Sequence, residues 1–337
     1  MELLEQRDHE LWDEFALTSG GTLFHTAWWH RAWDAPVEVF ARRNDDGDIE
    51  AGIAVSIGRY LGVRAVRRPP FTPVNGPVFP VPDLSERGSA YSKLVSEWND
   101  VMSSCPRSGF YDFVVRPGAP PALPLLWNGY RASPTYTYVI PVSDREAWPG
   151  RMSSMNRRNL RKAHDEAEER GLRVETGTPM AEVVDLFMQT GRDKGFSIRG
   201  GAGAMTSWWD EVEKRDAGTI YAVRDEGSRP ACATLSVRDR RTCWYLAGGM
   251  RSDIRSESRL NLVLFERMIR DAHGLGLDFD FEGSSLPGVE RFFRGFGGEL
   301  RQGMRYIRIP APHVYLAWQA HRYTRRGHHT GGWVSRP

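Results

Sequence analysis

The stretch from Leu277 to Gly298, LDFDFEGSSLPGVERFFRGFGG, constrains the fold of this chain more than any other. Leu277, Phe279 and Phe281 alternate strictly with Asp278, Asp280 and Glu282, the period-two pattern of a half-buried strand. A Gly283-Ser284-Ser285 turn, Pro287-Gly288, a short helix-compatible run from Val289 to Arg294 and a glycine-rich exit at Gly295, Gly297 and Gly298 follow. The pattern delivers carboxylates to the C-terminal edge of a strand, opposite a basic and aromatic loop.

Composition narrows what can surround that strand. A chain of 337 residues fits about two domains, and a 40% hydrophobic content can bury both cores. With 45 basic and 43 acidic side chains the net charge is +2, so no global field draws nucleic acid or anionic lipid, and any basic site must be local. Lysine stands only at 93, 162, 194 and 214, which leaves 41 arginines, a bias that either coding or forked anion contacts would produce. Cys105, Cys232 and Cys243 are odd in number and widely spaced, so they form neither a disulfide framework nor a CxxC site. His25 and His30 lack a third ligand, as do His328 and His329, and no metal site is expected. The N-terminus is acidic and amphipathic, and no run approaches the ~20 apolar residues of a membrane helix. The expected location is cytoplasmic. No DNA-recognition motif is present.

In chain order, residues 3–17 read as a helix and Leu23–Trp33 as an aromatic-rich one, whose tryptophans serve either core packing or ligand binding. Val37–Arg42 and Ile49–Ile57 read as strands joined by a turn at residues 45–48. Arg59, Arg64, Arg67 and Arg68 then precede the proline-rich segment Pro69–Pro82. Arg68 and Asn75 there either help hold a phosphate or carboxylate or belong to a solvated connector. Helix 85–102 and strands 110–116 and 135–141 follow. Arg145–Gly171 reads as one helix whose charges oppose its dipole: Arg151, Arg157 and Arg158 come first and acids last. Pairs Arg161–Asp165 and Lys162–Glu166 offset part of this, and the three unpaired arginines fit a docked anion or a tertiary carboxylate. Strand 172–175, helices 179–189 and 205–214, and strands 219–223, 231–237 and 242–247 lead to a strand–loop–helix–strand unit over Thr242–Phe281.

The FEGS turn, the VERFFRGFGG run and the NRRNLRKA segment (Asn156–Ala163) resemble the Fem-type aminoacyltransferases within the GNAT acyltransferase superfamily, well over roughly residues 150–308 and loosely before that. The resemblance implies an α/β fold of two GNAT-like domains in tandem, 1–141 and 142–308, with a cleft between them and a helix in 309–337 returning to the first. It implies aminoacyl-tRNA as donor, a small amine-bearing acceptor and no cofactor. In GRDKGFSIR, similar to an acceptor-contacting segment of that family, Arg192 carries over with Lys194 as its neighbour; Arg31 is the nearest basic residue to the family's phosphate-contacting lysine. Phe292 and Phe293 would flank the reacting ester. Phe293 stands where the family usually has lysine, which leaves Arg294 as a shifted substitute, and Arg151, Arg157 and Arg158 would face the donor's phosphates.

Acyl transfer to an amine needs a proton acceptor, because an amine of pKa near ~10.4 is only about one part in 2,500 free base at neutral pH. Asp280 and Glu282 are the candidates, Glu282 first, unless each is a surface carboxylate or a partner of Arg291 or Arg294. Arg294 would stabilise the oxyanion or a donor phosphate. From Met250 to His273 there is no glycine, where acyl-CoA users need backbone close to a pyrophosphate. Transfer from aminoacyl-tRNA is therefore the first reading. An acyl-CoA-dependent N-acyltransferase and a non-catalytic phospholigand-binding protein of the same fold are the alternatives.

Overall fold

The computed structural model describes residues 1–80, 88–119, 122–193, 197–198, 200–225, 227–253, 259–283 and 286–324, the last four as backbone only. They form two compact units, one of Met1–Thr135 with the described chain from Gln302 on, the other of Tyr136–Arg301.

The first unit begins with β1 (Glu2–Leu3), α1 (His9–Thr18), α2 (Ala27–Arg31), β2 (Val37–Arg43), β3 (Ile49–Tyr60), β4 (Val63–Arg67), α3 (Gly88–Ser104), β5 (Phe110–Val115), α4 (Leu123–Trp127) and the start of β6 (Arg131–Ile140). The expected helix over 3–17 starts only at His9, because Glu2 and Leu3 pair with Ala41 and Phe40 of β2. The β2–β3 turn forms as the sequence predicts. Asn44 Oδ1 accepts the backbone N–H groups of Asp46 and Asp48, and Gly47 supplies the left-handed residue at φ +88°. Trp12 and Trp29 are fully buried; their indole N–H groups donate to His25 O and Thr72 Oγ1. His30, equally buried, meets Phe24 O through Nε2 and Ser56 Oγ through Nδ1.

The second unit contains the rest of β6, α5 (Trp148–Arg151), α6 (Ser154–Glu169), β7 (Arg173–Thr176), α7 (Met180–Asp193), α8 (Gly201–Glu213), β8 (Gly218–Arg224), β9 (Pro230–Arg238), β10 (Thr242–Met250), α9 (Leu260–Gly274), β11 (Asp278–Asp280), α10 (Pro287–Arg294) and the start of β12 (Glu299–Arg308); α11 (Pro312–Thr324) falls in the first unit. Its strands run in the order β6-β11-β10-β9-β8-β7. β7 to β10 are antiparallel neighbours, and β10 and β11 are parallel. The parallel step requires a crossover, which α9 makes. That helix is apolar on most faces and buries Leu260, Val263, Leu264, Phe265, Met268 and Ile269, as its sequence predicts.

The helix expected over 145–171 is two. Met152 and Ser153 are extended, Ser153 N–H donates to Gly295 O at 2.9 Å, and Ser153 Oγ caps the N–H of Asn156 at the start of α6. A tertiary bond to the glycine-rich exit thus overrides a continuous helical pattern. Met155 is exposed. Neither expected pair on α6 forms; Glu166 instead takes Arg170, one turn later.

Candidate active site

The alternating strand buries the predicted face. Leu277, Phe279 and Phe281 are buried and Asp278 and Asp280 half-buried, with β11 between β10 and β6. The β10–β11 register ends at Trp244↔Asp280, although β10 continues to Met250 along β9. The two parallel strands therefore part at Asp280, at a strand's C-terminal end, where α/β folds place ligands.

Asp280 Oδ1 accepts the hydroxyl of Thr137 and, at 2.7 Å, the backbone N–H of Glu282. Burial pushes its carboxyl up to about 6, and those two hydrogen bonds only partly oppose the shift. Glu282 itself stands in the left-handed region at φ +62°, and Gly283 follows at φ +74°. A Cβ at Gly283 would lie 1.8 Å from the carbonyl oxygen of Tyr136, so only glycine fits. Ser284 and Ser285 of the FEGS turn lie outside the described residues.

Across from this turn, Phe281, Phe265, Phe292, Phe293 and Phe296 pack ring to ring, with Phe281 and Phe293 centroids 5.1 Å apart. Phe293 is core and Phe292 lies half-buried against it, which accounts for both without a bound ester. Tyr245 joins them 5.8 Å from Phe293, and burial, then the Glu282 charge, push its hydroxyl upward. Arg294 pairs with Glu290 across one helical turn, Nε to Oε1 3.2 Å, and is well exposed. Glu290 Oε1 also accepts the Tyr138 hydroxyl at 2.6 Å; burial and then Glu290 push that hydroxyl up to about 12. Arg294 thus takes Glu290, rather than Asp280 or Glu282, as its ion-pair partner.

Sequence reasoning missed Asn156, Thr137 and Tyr138. Asn156 is buried, donates from Nδ2 to Phe292 O at 3.3 Å, and fills the space a Cβ at Gly295 would need, 2.4 Å away. An uncharged side chain amid arginines in NRRN is its only local signal. Thr137 and Tyr138 carry none, since their partners lie 143 and 152 residues away.

Most of the remaining predicted residues have partners within their own unit. Arg151 pairs with Asp144, Arg157 donates to the carbonyls of Gly150 and Met152, and Arg158 is exposed, with no ion pair among the described residues. Arg192 donates to Gln189 Oε1 on its own helix, and Lys194 lies outside the described residues. In the first unit, Arg31 meets His9 Nδ1 at 3.1 Å. Arg68 is buried against Asp112, and Asn75 uses both ends of its amide on β5, accepting Val114 N–H and donating to Asp112 O. Of the arginines around Arg68, Arg64 pairs with Glu38, Arg59 donates to Gly62 O and Arg67 stacks on Tyr60. Among the described residues no group of three or more metal-ligating side chains exists, and no helix is long and apolar enough to cross a membrane.

Residues 154–294 match the sequence profile of the Acetyltransferase (GNAT) domain. Among solved structures, that of FemX superposes with a TM-score of 0.64 at 14% identity, covering 90% of this chain and 97% of that one. L-PGS from Bacillus licheniformis follows at 0.57 and 12%, covering 96% and 99%. The C-terminal domain of an Agrobacterium fabrum protein, whose proposed activity is lysylphosphatidylglycerol synthetase, gives 0.52 and 12%, covering 98% of each. No curated protein sequence matches the chain. The protein is a mixed α/β chain with the fold of a GNAT-type acyltransferase, and the paired carboxylates lie at the C-terminal end of a strand in its GNAT domain.

Proposed function

We propose that this protein is an aminoacyltransferase that moves an aminoacyl group from aminoacyl-tRNA to an amine of a small peptide, cell-wall or antibiotic precursor. The Asp280–Glu282 turn carries the proposal. A carboxylate with a pKa of about 6 is mostly ionised at neutral pH yet basic enough to take a proton from an ammonium group as it becomes a nucleophile. The amine nitrogen then bonds to the ester carbonyl carbon, and the bond from that carbon to the ribose oxygen breaks. The departing oxygen recovers a proton, so the carboxylate returns to its starting state. Both hydrogen bonds to Asp280 fall on Oδ1, which leaves Oδ2 to receive the proton. We therefore assign that step to Asp280 and the holding of the ammonium to Glu282.

The donor is argued from the absence of glycine between Met250 and His273 and from the company the fold keeps. One structural neighbour is named for attaching a lysyl group, an aminoacyl transfer in itself. The matched domain bears the name of acetyltransferases, which keeps acyl-CoA as the second donor to test.

The test incubates the purified protein with tRNAs charged with labelled amino acids and a small-molecule extract. Label in a base-stable, RNase-resistant product is expected, reduced by Asp280→Asn and Glu282→Gln. Transfer from acyl-CoA but not from tRNA would overturn the donor; full activity of both variants would overturn the site.

A further inference from the structure

A second site lies in the first unit, apart from the carboxylate turn. A pocket of about 230 Å³ is bordered by Arg131, Arg308, Gly129, Ile309, Pro310 and Tyr315. Its two arginines differ from four other strand arginines of their unit. Arg42, Arg43, Arg64 and Arg305 each neutralise a carboxylate, whereas among the described residues Arg131 and Arg308 form no ion pair. Aromatic rings hold both guanidiniums instead. Arg131 lies 4.8 Å from the centroid of Tyr315 and 5.8 Å from that of Trp318, and donates to the Tyr315 hydroxyl at 2.5 Å. Arg308 lies 5.9 Å from the Tyr111 centroid and 5.8 Å from that of Tyr130. Stacking engages the face of a guanidinium and leaves much of its N–H edge available for a forked contact. Gly129 turns the chain into the pocket wall at φ +78°, and a Cβ there would make only ordinary contact with Arg308 Nε, at 4.0 Å.

We propose that this pocket binds a phosphate group, carried by a small organic molecule or by a lipid headgroup. Two fixed cations match the charge of about −1.5 to −2 on a phosphomonoester near neutral pH, where one carboxylate would satisfy only one fork. Ile309, Pro310 and the Tyr315 ring supply an apolar wall for the group that bears the phosphate. Upstream, α4 ends with Leu126 and Trp127 exposed, two to five residues before Gly129 and Arg131, which is why the lipid source belongs in the test. The site requires nothing of the acyl-transfer reading.

The probes are inorganic phosphate, glycerol phosphate and acetate by calorimetry at fixed ionic strength, and phosphatidylcholine vesicles with and without phosphatidic acid by co-sedimentation. Saturable binding of a phosphate probe or of acidic vesicles is expected, weakened about tenfold or more by Arg131→Gln and by Arg308→Gln with thermal melting unchanged. Binding of the soluble probes alone identifies a small molecule; binding of acidic vesicles alone identifies a headgroup. Absence of both, equal binding of acetate, or binding that survives the two substitutions overturns the proposal.

Discussion

The carboxylate of Asp280 accepts the backbone N–H of Glu282 at 2.7 Å, and Glu282 sits at φ +62°. The first fact helps hold the second: a side chain bonded to the backbone two residues on closes a turn, and that turn keeps a non-glycine residue in a conformation it would otherwise avoid. Two acidic side chains at the end of a strand are thus locked in one geometry rather than left to repel each other into solvent.

If Asp280 accepts the proton, the rate must follow its ionisation. In the transfer assay, kcat/KM of the wild type should rise from pH 5 to 7 with a midpoint near 6, the value to which burial pushes this carboxyl. Asp280→Asn should lower the rate by about 10²–10⁴-fold and abolish that limb. A variant that keeps the limb would place the titrating group elsewhere.

The same substitution should affect stability in the opposite sense. A carboxyl raised from 3.8 to about 6 binds its proton more tightly when folded, so its contribution is complete below pH 4 and lost as pH rises through 6. Asparagine keeps an oxygen for both Oδ1 donors and carries no charge. Urea unfolding should show Asp280→Asn more stable than wild type by about 1–3 kcal/mol at pH 8 and equal to it near pH 4.

His30 pulls the other way across an overlapping window. Burial lowers its pKa from 6.5 to about 4, and the hydrogen bond from Nε2 to Phe24 O only partly opposes the shift. A depressed pKa gives stability that is full above 6.5 and lost as pH falls towards 4, on the order of 3 kcal/mol. His30→Gln should flatten this slope. Comparison with Asp280→Asn over pH 4–7 separates the two contributions.

Asp112 makes a third, lower transition. Its buried carboxylate lies between Arg305, 2.8 Å from Nε, and Arg68, 3.3 Å from Nη2, and the two guanidiniums hold it down at about 2 against the cost of burial. Such a group stabilises the fold above its unfolded pKa and ceases to as pH falls from 4 to 2. Asp112→Asn would leave two cations facing each other over a neutral amide, at a cost of about 3–5 kcal/mol at pH 7 by urea unfolding.

How much of this was readable from the chain divides by range. The buried face of Leu277, Phe279 and Phe281, the α10 helix and the buried α9 follow from periodicity, because the core enforces it residue by residue, although the strand itself spans only Asp278–Asp280 and Glu282 turns out of it. The Glu290–Arg294 pair obeys helical spacing and was equally readable. Contacts made across the fold were not. Nothing near residue 137 announces that its hydroxyl caps Asp280, and nothing near residue 153 announces that Gly295 will take its N–H and break a helix. The arginines before the proline-rich segment looked like an anion site because their carboxylates, Glu38 and Asp112, come from other strands. Arg131 and Arg308, which have no such partner among the described residues, attracted no notice, since stacking on aromatic rings leaves no pattern in sequence.

Glu282 offers the sharpest separation of function from stability. A non-glycine residue in the left-handed region costs roughly 1–2 kcal/mol, so Glu282→Gly should relieve strain and raise stability by up to about 1 kcal/mol, the gain being cut by the flexibility glycine adds to the unfolded chain. Glu282→Gln keeps the strain and removes only the charge. Both should lower kcat/KM by about ten- to a thousand-fold if the carboxylate holds the acceptor's ammonium, with the loss carried in KM more than in kcat. Gly283→Ala tests the backbone of the same turn. Its methyl would meet the Tyr136 carbonyl at 1.8 Å in a conformation alanine rarely adopts, so this variant should unfold at markedly lower urea than wild type. A Glu282→Gly protein that is more stable and still fully active would show that the strained turn serves packing rather than catalysis, and Asp280 would then stand alone as the candidate base.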